Sequence, residues 1–193
     1  MAEQVAQKRV VAVQEKKGFS VQDLILIAVL IAAGAVLKLT VSSFLTFAGM
    51  KPNFMIAMYC LAIILTKPKP AQAVVIGLLV GLVSQIPMLN ATPLVNFASE
   101  ALGALVCGLL VLAFSKIAAE NKACQNVGFP VVITFISTVV SGYCFALIVG
   151  AGINHVDIVA VFAMYAVMVF GTAAMNAVAA AILTPVLKAV LKK

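Results

Sequence analysis

Tryptophan is absent from the 193 residues, histidine occurs once, and acidic side chains number only six. Each shortage removes a class of function. One histidine and four cysteines (Cys60, Cys107, Cys124 and Cys144) without paired spacing argue against a structural zinc site. Three of those cysteines lie in apolar runs, where a thiol behaves as a small hydrophobe. A single acid inside an apolar run leaves few actors for acid–base chemistry. No glycine-rich loop carries a Walker lysine, and no aspartate-rich phosphate site or metal-binding histidine pair occurs. The expectation is a chain that is not an enzyme and takes neither cofactor nor metal. Charge is scarce too, at 10% of residues, and the net +7 is not gathered into an aromatic-interleaved patch, so no nucleic-acid partner is expected.

What the sequence has in abundance is apolar surface: 64% hydrophobic residues and a mean hydropathy of +1.19. Continuous runs of bilayer-spanning length follow one another. Their unbroken apolar character argues against the alternating strands of an outer-membrane barrel. The fold class expected is all-α, a polytopic membrane protein in which six helices form a transmembrane bundle. The spans are placed at about 23–37, 53–66, 71–86, 94–117, 129–151 and 158–186. Asp23 is positioned to cap the first. Pro52 announces the second, which is short.

Residues 1–19 have no apolar core followed by a cleavage site, so they read as an N-terminal extension rather than a signal peptide. A short amphipathic helix and a flexible tail are both open for it. Residues 20–193 form the membrane domain. With the amino terminus inside, inner segments hold eleven basic residues and outer segments only Lys38 and Lys51, which accounts for all 13. The positive-inside rule then makes both termini cytoplasmic in a multi-pass cell-membrane protein surrounded by lipid.

Polar groups inside membranes are costly and therefore informative. Glu100, within "VNFASEALGALVCGLL", must face the protein interior or a wet cavity, since a mid-membrane acid costs roughly 2.5–3.5 kcal/mol. Asn96 shares its face one turn earlier, and Gly103 and Cys107 continue that face with small side chains. The arrangement suits a pocket, or a structural pairing of Glu100 with a lysine. Lys51, beside Pro52, is the candidate partner: Lys51 and Glu100 would hold the carboxylate and ammonium of an amino acid. A lysine that snorkels to headgroups is the competing reading. Asn53, Gln85, Asn90, Asn154 and His155 are further candidate contacts near the outer end. Tyr143 and Tyr165 would stack on a ligand, and Met164 and Met168 would provide an adaptable wall. For each of these taken singly, ordinary packing is the commoner role. Asn176, deep in the sixth span, is expected to hydrogen-bond a neighbouring helix.

Small residues recur at intervals of four. Ala28, Ala32 and Ala35 give the first span a nearly smooth face, and Gly77 and Gly81 do so in the third. Either face could pack within the bundle, and the first could dock a partner protein.

The alanine pair, the size, the six spans and the missing ATPase together resemble the substrate-binding S-components of energy-coupling-factor (ECF) transporters, over about residues 20–190. "GMKPNFMIAMYCLAIIL" and "VVIGLLVGLVSQIP" are similar to the tryptophan-transporter group of that family, with Asn53 standing where the group has an acid. The resemblance implies capture of a small nutrient such as tryptophan from outside, by outer loops and the outer halves of spans 4 to 6. It implies a membrane scaffold subunit and ATPase subunits as partners, with Ala28 and Ala32 contacting the scaffold, and toppling to release cargo. A solitary secondary carrier and a structural subunit without a small ligand are the rival functions.

Overall fold

Ser20 opens the first helix. Its hydroxyl accepts from the Asp23 backbone N–H while the Asp23 carboxylate accepts from Ser20, a reciprocal capping box. Asp23 thus takes part in the cap without being the cap residue itself. The computed structural model describes residues 18–45, 52–86, 89 and 92–191. The extension at 1–17, Lys51 and Asn90 lie outside the described residues.

Every regular element described is helical: α1 (Val21–Phe44), α2 (Met55–Thr66), α3 (Pro70–Val83), α4 (Val95–Ala118), α5 (Phe129–Leu147) and α6 (Ile158–Leu191). Single π-helical stretches, Cys124–Gly128 and Ile148–Ile153, extend α5 at both ends. All six apolar segments are helices. Four of them are long and apolar enough to cross a membrane: α1, α4, α5 with its extensions, and α6. The 12 residues of α2 and 14 of α3 reach only about 18 and 21 Å at 1.5 Å per residue, against a hydrocarbon core of about 30 Å.

The short α2 is the axis of the molecule. Met55 to Leu65 are all buried, and the helix packs against α1, α4, α5 and α6. A helix that is apolar on every side is one that is buried, in a protein core or in a membrane. Lys67 ends α2 in the left-handed conformation (φ 47°), and Pro70 starts α3 in its first turn, where proline's missing N–H costs nothing.

Glycines decide the contact of α3 with α4. A Cβ on Gly77 would lie 2.5 Å from the Glu100 carbonyl oxygen and 2.8 Å from Ala101 Cα; one on Gly81 would lie 3.0 Å from Phe97 Cα. Gly77 and Gly81 therefore serve packing within the bundle, the plainer of the two readings of that stripe. On α1 the outcome differs. Ala28 and Ala32 are exposed, along with Val29 and Val36, while Ile27, Leu30, Ile31 and Gly34 turn inward to α2.

Lys38 departs from expectation. Counting it as an outer-connection charge ends the first span at Leu37, yet α1 continues through "KLTVSSF" to Phe44 and Lys38 is only 4% exposed. The apolar run resumes after the lysine, so the helix carries it inward.

Candidate functional site

Several of the buried polar side chains gather around the entry of α2. From the end where α1 begins and α2, α4 and α6 finish, Lys38 lies about 26 Å along α1 and Glu100 about 27 Å along α4. Asn53 is about 20 Å from the end of α2 and Asn176 about 22 Å from the end of α6.

The stretch leading into α2 joins them. Ser42 Oγ on α1 donates to the Pro52 carbonyl at 2.7 Å. Asn53 Nδ2 donates to Glu100 Oε1 on α4 at 2.5 Å, and the Asn53 carbonyl accepts from Asn176 Nδ2 on α6 at 3.0 Å. Asn176 Nδ2 also reaches Thr138 Oγ1 on α5 at 3.2 Å. Asn53 Oδ1 accepts from the Met55 N–H at 3.3 Å, fixing the entry of α2. Two residues, Pro52 and Asn53, are bonded to three of the four long helices, and the fourth is reached through Asn176. The expected helix-to-helix role of Asn176 is what the structure has.

Glu100 is fully buried, with Asn96, Gly103 and Cys107 buried on the same face of α4, as their spacing predicts. Gly103 leaves space for another group. A Cβ there would overlap Tyr59 Oη and lie 2.8 Å from Ser141 Cβ, so the Tyr59 hydroxyl rests on the turn of α4 that carries Glu100. The Lys38 ammonium is within electrostatic reach of the Glu100 carboxylate. Several buried oxygens make no hydrogen bond of ordinary geometry, namely Glu100 Oε2, Tyr59 Oη, Ser137 Oγ, Thr134 Oγ1 and Asn176 Oδ1, although Tyr59 and Ser141 stand beside the Glu100 carboxylate. Buried polar atoms normally find partners, so these five are exceptions that call for an explanation. Among the described residues no cluster of three or more His, Cys, Asp or Glu side chains could hold a metal ion.

The remaining sequence candidates are dispersed. Gln85 Nε2 and Asn96 Nδ2 both donate to the Pro93 carbonyl, at 2.9 and 3.1 Å, and so brace the connection into α4. Tyr143 packs on Phe162 (ring centroids 4.7 Å apart) between α5 and α6. Tyr165 is half-buried beside Gly150. Met168 is buried on α6, whereas Met164 is exposed. Asn154 and His155 are exposed in the connection before α6, with His155 at φ 54°. Sequence reasoning did not single out Tyr59 or Lys38 as site residues. The signal for Lys38 was a lysine with apolar residues on both sides.

A family model described as "Tryptophan transporter TrpP" matches residues 20–192. The chain belongs to the TrpP family. This is a family of transporters, not of enzymes. A "Probable tryptophan transport protein" of Bacillus subtilis (strain 168) is 28% identical over 177 residues, covering 89% of this chain and 94% of that protein. No solved structure matches. The apolar helices and the family together make this a membrane transport protein.

Proposed function

We propose that this TrpP-family chain is the membrane-embedded substrate-binding subunit of an ATP-driven, ECF-type uptake transporter for tryptophan. The observation that carries the substrate is the family match over residues 20–192. The observation that supports a binding role is the orphan carboxylate oxygen of Glu100, fully buried yet unbonded. A lipid-embedded acid costs free energy unless it serves a site, and a ligand ammonium would satisfy it. Glu100 holds the ammonium, Asn53 fixes the carboxylate's orientation, and Asn96 and Gln85 shape the connection above them. Lys51 and Asn90 are kept as further candidate ligand contacts, Asn154 and His155 lie toward the outer mouth, and Tyr143, Tyr165 and Met168 border the indole.

In this reading all six helices belong to the membrane domain, both termini are cytoplasmic, and the short α2 and α3 are sheltered or tilted against longer neighbours. The exposed Ala28 and Ala32 offer a smooth face for a scaffold subunit, which in turn carries the ATPases. Vesicle uptake tests the coupling. Radiolabelled tryptophan is offered to vesicles containing this chain alone, or with scaffold and ATPase subunits and internal ATP. Accumulation only in the second case is expected. Uptake by the chain alone, driven by an ion gradient, would mean a solitary carrier instead.

A further inference from the structure

Among the described residues this buried layer contains one cation, Lys38, and one anion, Glu100, within electrostatic reach of each other. Their formal charges sum to zero. Among apolar helices an uncompensated charge is expensive, whereas a neutral set is tolerated. A ligand entering this layer keeps the sum at zero only if it is itself net neutral. The hydrogen-bonding vacancies also have a direction. Glu100 Oε2 can only accept while ionised, and the Tyr59 hydroxyl beside it on the Gly103 turn can accept or donate. An ammonium supplies three donors to such oxygens.

We propose that Lys38, Glu100 and Tyr59 form a headgroup subsite that selects zwitterionic α-amino acids and rejects amines and acids carrying the same ring. Glu100 Oε2 and Tyr59 Oη receive the ammonium, and Lys38 faces the carboxylate. Asn53, bonded to Glu100 Oε1, holds the acid so that Oε2 stays directed at the ligand. This deepens the reading of the chain as a tryptophan-binding subunit and rests on it. Selectivity of this kind is set by charge balance at the headgroup and is independent of how the indole is packed.

The test is a binding panel on the purified full-length protein in detergent. The ligands are L-tryptophan, tryptamine (no carboxylate) and indole-3-propionate (no ammonium). Their indole fluorescence is read directly, because the chain has no tryptophan. Wild type is expected to bind tryptophan at least roughly 30-fold more tightly than either analogue, the loss typical when one buried charge is left unpaired. Lys38→Gln leaves the site net negative and should move tryptamine ahead of indole-3-propionate. Glu100→Gln leaves it net positive and should reverse that order. Tyr59→Phe removes the hydroxyl beside Glu100 and Ser141, so tryptophan binding should weaken about tenfold in a variant that still unfolds cooperatively.

A variant that misfolds loses all three ligands together and cannot produce crossed preferences. The neutral double variant Lys38→Gln/Glu100→Gln removes both charges and restores folding if charge imbalance is the cause; it should bind the three ligands with less than about threefold spread. An unchanged ligand order in both single variants would overturn the proposal, as would a wild type that binds tryptamine or indole-3-propionate as well as tryptophan. A folded wild type that binds none of the three would overturn the tryptophan reading as well, a result distinct from loss of headgroup selectivity alone.

Discussion

Replacing Gly77 by alanine tests whether the α3–α4 contact positions Glu100. Gly→Ala in a helix interior gains about 1 kcal/mol from backbone entropy. Gly171, with no neighbouring heavy atom within 4 Å, should keep that gain and serves as the control. At Gly77 the new Cβ would lie 2.5 Å from the Glu100 carbonyl oxygen, where ordinary contact begins near 3.4 Å. The difference, 3.4 − 2.5, requires the two helices to part by up to 0.9 Å. The other close atoms, Ala101 Cα and Ala104 Cβ at 2.8 Å, belong to the same rigid helix and cannot swing aside. Overpacking of this kind costs about 1–3 kcal/mol. Gly77→Ala should therefore be about 1–3 kcal/mol less stable than Gly171→Ala. A shift approaching 0.9 Å also exceeds the roughly 0.5 Å tolerance of a preorganised site, so tryptophan affinity should fall with stability. Thermal unfolding in detergent, with and without saturating tryptophan, reads both quantities. If Gly77→Ala proved as stable as Gly171→Ala and bound tryptophan unchanged, the argument from close approach would be wrong.

Three further outcomes are expected. Asn176→Ala removes donors to the Asn53 carbonyl and Thr138, costing about 1–3 kcal/mol; the isosteric Asn176→Asp should be worse, because a carboxylate then opposes the Asn53 carbonyl, and thermal unfolding of the two variants gives the order. Ser20→Ala breaks the capping box and should cost about 1 kcal/mol while leaving ligand binding intact, as checked by unfolding and titration on one sample. Ala32→Leu adds bulk to an exposed face of α1, so tryptophan binding should survive while ATP-driven uptake in vesicles falls several-fold; equal uptake would remove the docking role.

Much of the helical layout was readable because apolar runs in a membrane protein leave little ambiguity, and because Glu100, Asn96, Gly103 and Cys107 repeat at helical spacing. Asn53 and Asn176 were visible as polar residues in or beside apolar runs, though nothing in the sequence paired them across 123 positions. Lys38 was misplaced for an understandable reason. A lysine ordinarily marks the end of a span, and only the tertiary position of α1 against the α2 entry shows that this one lies inside. Tyr59 was missed because a tyrosine in a short apolar helix resembles ordinary packing. Its burial follows from α2 being central, a property of the assembled bundle that no local pattern encodes. The two alanine and glycine stripes look alike in sequence and divide in space: Gly77 and Gly81 are filled by α4, whereas Ala28 and Ala32 face outward.

Tryptophan capture at Glu100 is the central claim, and a single titration addresses it. Purified protein, itself free of tryptophan, is added to a fixed concentration of L-tryptophan in detergent while the indole emission is followed. The account predicts a saturable emission shift with one ligand per chain, abolished by Glu100→Gln in a variant that still unfolds cooperatively. A folded wild-type protein that leaves the emission unchanged, or a Glu100→Gln variant that binds as wild type does, would contradict it.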